Sequence, residues 1–233
     1  MRLNKYIAQS GYYSRRKADT LINQGAVNIN GQSAELGTRV QDGDTVTIFG
    51  ERIEPADQNV YYAFHKPYGA ICTADKNADN TVYDYLPQDE RLLYVGRLDV
   101  ESSGLMLMTS NGDVSNAIAH GSGEHEKEYI VTVDRPMSRS FISAMKNGVD
   151  IDGQKTKPAR LKKLRDDQFR LVLTEGRNRQ IRKMCEALGY RVKILRRVRI
   201  MNIKLGTLGE GNYRPLTKKE RRELLSQLGL WTG

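Results

Sequence analysis

Strand-like apolar runs outnumber helical stripes in this chain, and the two kinds do not alternate regularly along it. Runs at 60–64, 92–95, 105–109, 129–133 and 170–174 are interrupted by helix-like periodicity only at 139–146, 179–188 and 218–228. A doubly wound parallel sheet needs a crossover helix between successive strands, so this order predicts an α+β fold with a largely antiparallel sheet. The last helix carries its own start signal, because Thr217 and Glu220 have capping-box spacing. With 233 residues, 39% of them hydrophobic, the chain can build one substantial core and a small satellite domain.

The satellite is predicted at residues 1–50. Leu3, Tyr6 and Ile7 share a helical face that Gly11 ends, and Ser14 caps a second helix on which Ala18, Leu21 and Ile22 repeat the spacing. Val27-Asn28-Ile29 then alternates into an Asn30-Gly31 hairpin signal, and Val46 and Ile48 alternate again. Arg15, Arg16 and Lys17 crowd the first turn of the second helix, where cations oppose the helix dipole. The cost makes sense if a phosphate docks there, the plain alternative being a solvated charge run. The segments Arg2-Leu3-Asn4-Lys5-Tyr6-Ile7, Ser14-Arg15-Arg16-Lys17-Ala18-Asp19 and Gly25-Ala26-Val27-Asn28-Ile29-Asn30-Gly31 resemble an S4 RNA-binding domain. The resemblance implies a small α/β module whose Arg2, Lys5, Arg15, Arg16 and Lys17 meet RNA. Residues 51–59, with Pro55 and little apolar content, read as a linker, and 60–233 as a second domain.

Charge is distributed unevenly. Of the net +9, residues 155–205 alone carry +13, while 61–154 carry −6. A basic block that also has strand and helix periodicity reads as a folded surface for a polyanion. No run approaches a membrane span and no apolar signal core follows the N-terminus, so the expected address is cytoplasmic, with no membrane partner. Cys72 and Cys185 lack zinc-site spacing and there are three histidines, so no metal centre is expected.

The segment Gly96-Arg97-Leu98-Asp99-Val100-Glu101-Ser102-Ser103-Gly104-Leu105 sets an Asp in a glycine-bounded loop between two apolar strands. Arg97 and Ser102 flank it at distances that suit an ionised, hydrogen-bonded carboxylate, a nucleophile or base, although Asp followed by Ser is also an ordinary turn pattern. Three further blocks follow a fixed order: Lys66-Pro67-Tyr68-Gly69, Glu126-Lys127-Glu128-Tyr129 and Glu175-Gly176-Arg177-Asn178-Arg179-Gln180-Ile181-Arg182-Lys183-Met184. On the last, Ile181, Met184, Cys185 and Leu188 form the buried stripe, and Arg182 lies off it, within reach of an i, i+4 pair with Glu186.

Together these blocks resemble the RsuA-type family of ribosomal RNA pseudouridine synthases. Arg-Asn-Arg-Gln-Ile-Arg and Arg199-Ile200-Met201-Asn202 are most similar to its RluF branch. Many members carry His where this chain has Arg179.

The resemblance implies a second domain that flips one uridine out of a structured RNA and isomerises it to pseudouridine, with large-subunit (23S) ribosomal RNA the branch's expected substrate. Asp99 would be the catalytic carboxylate, Tyr129 the stacking aromatic, and Arg182 the partner of Asp99. Lys127, Arg97, Lys66, Gln180 and Ile181 would support the pocket, and Arg177 and Arg179 would meet RNA. Breaking N1–C1′ and rejoining through C5 involves no redox change, so no cofactor is expected. No strand-linked dinucleotide or Walker loop occurs, and Gly121-Ser122-Gly123 is too short to supply one. The rivals are a non-catalytic S4-type RNA-binding factor, an S4-bearing methyltransferase, and the same enzyme acting on small-subunit ribosomal or transfer RNA. A monomer is expected.

Overall fold

The computed structural model describes residues 1–56, 59–75, 77–88, 90–120 and 125–231. Residues 57 and 58 of the expected linker and the Gly121-Ser122-Gly123 element lie outside the described residues. The chain divides into two compact units. One is residues 1–60 with 88–93 and 109–112; the other is 61–87, 94–108 and 113–233.

The first unit opens with α1 (Leu3–Gln9) and α2 (Arg15–Asn23), followed by β1 (Val27–Ile29), β2 (Gln32–Ser33), β3 (Val46–Ile48) and β4 (Glu51–Ile53). The sheet order is β2-β1-β3-β4, with every pair antiparallel. Ser14 caps α2 by accepting from the Lys17 N–H at 3.0 Å. Asn30 and Gly31 both take positive φ, as a two-residue hairpin turn requires. The expected linker start is corrected: Glu51, Arg52 and Ile53 are β4, and Ile53 is buried in the same core as Leu3, Ile7, Leu21, Val27 and Ile48. The turn into β4 is Phe49-Gly50, both at positive φ. A Phe in that conformation gives no turn signal, and an edge strand with one inward residue gives no alternation.

The second unit holds β5 (Tyr61–Lys66), β6 (Leu93–Val95), β7 (Ser103–Thr109), α3 (Gly112–His120), β8 (Lys127–Val133), α4 (Arg139–Asn147), β9 (Asp150–Ile151), β10 (Gln154–Lys155), β11 (Arg160–Lys163), β12 (Gln168–Leu173), α5 (Gln180–Ala187), β13 (Val192–Ile200), β14 (Ile203–Lys204), β15 (Tyr213–Pro215) and α6 (Lys218–Gln227). Its main sheet runs β11-β12-β8-β13-β7-β5-β15, with β14 on β13 and β6 on β7. The pairs β11–β12, β12–β8, β8–β13, β13–β14 and β5–β15 are antiparallel, so the α+β expectation holds, but β13 and β7 run parallel. β13 is the long strand that periodicity misses, because its register shifts twice, between Val192 and Ile194 and between Arg197 and Arg199.

Two cores flank this sheet. α3 and α6 contribute Val114, Ile118, Leu224 and Leu225 to a cluster with Ala63, Leu105, Leu107 and Ile203. α4 brings Phe141 edge-on to Phe169 of β12 at 5.7 Å between ring centres. The Thr217/Glu220 capping box at α6 is present. No described helix is long and apolar enough to cross a membrane.

Candidate active site

Asp99 sits in the loop between β6 and β7, which Gly96 enters at positive φ. The loop tightens through a turn in which Ser102 N–H donates to Asp99 O at 3.0 Å. The Asp99 carboxylate has two guanidinium neighbours. Arg182 Nε lies 3.8 Å from Oδ2 and Arg179 Nη1 3.7 Å from the same oxygen. Both arginines also pair with Glu101, at 3.7 and 3.3 Å, so two carboxylates share two guanidinium groups.

These arginines arrive from α5 by different routes. Arg179 is the helix N-cap and holds a left-handed φ of 52°, which turns its side chain toward the Asp99 loop instead of along the helix. Arg182 lies on the first turn and is buried, with 8% of its side chain exposed. It is therefore not on a free helix face, and its ion pairs are with Asp99 and Glu101, not the i, i+4 pair with Glu186 that the spacing alone would allow. Its Nη2 donates to Glu101 O at 2.8 Å and to Ser102 Oγ at 3.2 Å. Ser102 thus orients Arg182 and does not hydrogen-bond the Asp99 carboxylate as its spacing suggested.

Beneath the loop lies Lys66 at the end of β5, with no exposed surface. Its Nζ donates to Ser102 O at 2.7 Å and Pro67 O at 2.9 Å, and reaches Val100 O at 3.5 Å. Burial pulls the Lys66 ammonium below its ordinary range, with Cys72 and Asp99 opposing that fall. The Pro67-Gly69 turn closes against the same loop through Gly69 N–H to Val100 O at 2.8 Å.

The other expected residues fall into three groups. Tyr129 is buried on β8, on the inward face with Val131, and Leu171 of β12 is its direct cross-strand neighbour. Lys127, two residues earlier, has its ammonium lowered first by burial and then by Arg197, and donates weakly to His125 O at 3.4 Å. Gln180 and Ile181 are buried, and Gln180 braces the turn into α5 by donating to Glu175 Oε1 at 2.6 Å and accepting from Arg177 N–H at 3.0 Å.

Arg97 and Arg177 differ from expectation. Arg97 is exposed and meets the site through its carbonyl, while the Asp99 ion pairs come from α5. The Arg177 guanidinium is committed to Lys155 O at 2.9 Å, Gln154 O at 3.2 Å and Glu175 at 3.4 Å, so it fastens the β9–β10 hairpin. In the first unit Arg2, Arg15, Arg16 and Lys17 are exposed, and Arg15 reaches Asn4 Oδ1 at 3.4 Å. Lys5 is half-buried on α1.

Glu101 and Arg197 are the residues that motif reading missed. Glu101 is hidden because any acidic residue in a turn looks solvated. Arg197 is hidden because it occupies an inward register position, where an arginine breaks the apolar alternation. Among the described residues, no group of three or more His, Cys, Asp or Glu is placed to hold a metal ion.

The family model described as RNA pseudouridylate synthase matches residues 60–187, and that of the S4 domain matches residues 1–46. Dual-specificity RNA pseudouridine synthase RluF of Escherichia coli (strain K12) is 44% identical over 226 residues, which cover 96% of this chain and 78% of the relative. Ribosomal large subunit pseudouridine synthase B of Bacillus subtilis (strain 168) is 35% identical, covering 96% of this chain and 95% of its own. A solved structure titled crystal structure of pseudouridylate synthase superposes with a TM-score of 0.71 at 34% identity, over 96% of this chain and 99% of that one. A family match over more than half the chain, with relatives this similar along nearly all of it, places the chain in the RNA pseudouridylate synthase family, with an S4 domain at its N-terminal end.

Proposed function

We propose that this enzyme converts a specific uridine of large-subunit ribosomal RNA to pseudouridine, with the target base flipped out of its helix and Asp99 acting on it as a carboxylate nucleophile or base. The observation that carries the reading is the Asp99 carboxylate, partly exposed and within 4 Å of two guanidinium groups, on a loop whose carbonyls are held from below by buried cations. Such a loop presents a charged nucleophile with little freedom to reorient, which is what intramolecular transfer of a detached base demands.

Each side chain has a distinct task in this reading. Arg182 and Arg179 pair with the carboxylate and keep it aimed. Tyr129 supplies an aromatic wall against which a flipped uracil stacks. Lys127, poised by burial, offers a proton or a hydrogen bond to the uracil oxygens while the base is detached. Isomerisation conserves atoms and electrons: N1–C1′ breaks, C5–C1′ forms, and the C5 proton is replaced by one on N1. The first unit grips the RNA through Arg15, Arg16 and Lys17, whose phosphate contacts position the substrate without reading the reacting base. The large-subunit assignment is supported by the name of the Bacillus subtilis relative and by the resemblance of the α5 motif.

Pseudouridine mapping across total RNA from cells with and without the gene tests the substrate. Loss of one modified position in large-subunit RNA is the expected result, and loss confined to small-subunit or transfer RNA would replace that assignment. Asp99→Asn tests the chemistry, since the amide keeps the shape but not the charge. Its turnover is expected to be undetectable with RNA affinity unchanged, and a rate within about tenfold of the parent would remove Asp99 from the mechanism.

A further inference from the structure

A single row of residues crosses five strands in register: Leu161 of β11, Leu171 of β12, Tyr129 of β8, Arg197 of β13 and Gly104 of β7. Arg197 is the one charged member, it is 2% exposed, and it makes no ion pair among the described residues. Burying a guanidinium without a carboxylate is costly, and apolar residues fill the neighbouring inward positions. Packing alone therefore does not account for it.

Two of its donors reach backbone on either side of the Asp99 loop, Leu105 in β7 and Arg97, while its Nη2 is buried without a hydrogen-bond partner among the described residues. Nε donates to Leu105 O at 2.7 Å and Nη1 reaches Arg97 O at 3.5 Å, so one planar fork spans the entry and the exit of the loop. The backbone at the same residue is equally tight, because a Cβ on Gly104 would stand 2.2 Å from Arg197 O, and Gly104 holds a φ of +111°. The register shift that follows Arg197 re-aims the strand there. Arg197 also acts electrically on Lys127 and Lys66, lowering both ammonium groups.

We propose that Arg197 is a positioning residue for the isomerisation: from the strand in register with Tyr129 it binds both ends of the Asp99 loop, and so fixes the carboxylate relative to the stacking tyrosine. This rests on the roles given above to Asp99 and Tyr129. It concerns a residue beyond 60–187, the segment matched by the family model.

The test is single-turnover kinetics and RNA binding for the full chain carrying Arg197→Met or Arg197→Lys. Leu224→Ala, a core variant on α6 remote from the loop, controls for lost stability. Arg197→Met is expected to lower the rate at saturating RNA at least a hundredfold with Kd within threefold of the parent, and Arg197→Lys to recover at least tenfold of that loss. Leu224→Ala is expected to keep the saturating rate while its Tm falls. A rate for Arg197→Met within threefold of the parent, a loss confined to Kd, or a Lys variant no faster than the Met variant each overturns the proposal. If Arg197→Met does not fold, Arg197→Lys decides: about tenfold slower at unchanged Kd supports positioning, and a rate within threefold of the parent overturns it. Asp99→Asn run alongside separates the two readings. Activity there overturns the assignment of Asp99 and this proposal with it, whereas an inactive Asp99→Asn beside a parent-like Arg197→Met overturns only the proposal.

Discussion

Replacing Arg182 with Met keeps most of the side-chain volume but removes the charge 3.8 Å from Asp99 Oδ2. Two unit charges at that separation interact by about 4 kcal/mol at an effective dielectric of about 20. Arg179 lies at 3.7 Å from the same oxygen and is more exposed, so it retains part of the field, and about half of the energy is lost in the low case. A loss of about 2–4 kcal/mol of transition-state stabilisation corresponds to a rate lower by roughly 30-fold to 1,000-fold. The variant also strands Glu101 O and Ser102 Oγ, which costs about 2–3 kcal/mol of folding stability, so the comparison belongs at a temperature where circular dichroism shows both proteins folded. The assay uses RNA tritiated at uridine C5, which loses its label to water when C5 bonds to C1′. An unchanged rate at saturating RNA with a weakened Kd would refute the argument and leave Arg182 a phosphate contact.

Tyr129→Phe is expected to keep stacking and RNA affinity, while Tyr129→Ala loses the aromatic wall and falls further in rate; near-normal turnover in both would remove Tyr129 from the site. Changing Arg15, Arg16 and Lys17 together to Gln is expected to weaken RNA binding with the saturating rate intact. The slope of log affinity against log salt should flatten by up to about 0.7–0.9 for each phosphate the variant no longer neutralises. An unaltered salt slope would deny the first unit its grip on RNA. Glu220, held down to about 2 chiefly by its hydrogen bonds with Arg214, stabilises the α6 start when ionised. Because its folded pKa lies below the ordinary 4.5, that contribution is present above about pH 4.5 and disappears as pH falls toward 2. Glu220→Gln is thus expected to be about 2 kcal/mol less stable than the parent at pH 7 and to converge with it in acid, as urea titrations would show.

Local rules made much of the fold readable. Ser14 and Thr217 announced their helices because a cap is a contact between residues three apart, and Asn30-Gly31 announced its hairpin because both positions need positive φ. β13 and β4 escaped the same reading. The first carries two register shifts and an inward arginine, and the second has one buried residue in three. At the site, motif order singled out Asp99, Arg182 and Lys66, but their geometry depends on residues far apart in the chain. Nothing local tells that Ser102 serves Arg182, that Arg177 fastens a hairpin, or that the left-handed Arg179 turns toward Asp99.

The parallel contact between Gly104 and Arg197 also bears on the order in which the protein becomes competent. Parallel strands so far apart in sequence close a large loop, and the entropy of that closure is met only once the later strand exists. During synthesis the S4 domain and the Asp99 loop emerge long before β13, so the first unit can fold before the sheet around that loop is complete. β13 lies between β8 and β7, so its pairing joins the strand of Tyr129 to the strand that follows the Asp99 loop. A chain stopped after residue 187, where the family match ends, would keep the Lys66 and Arg182 bonds to the Asp99 loop but lack β13 and the Arg197 bonds to Leu105 O and Arg97 O.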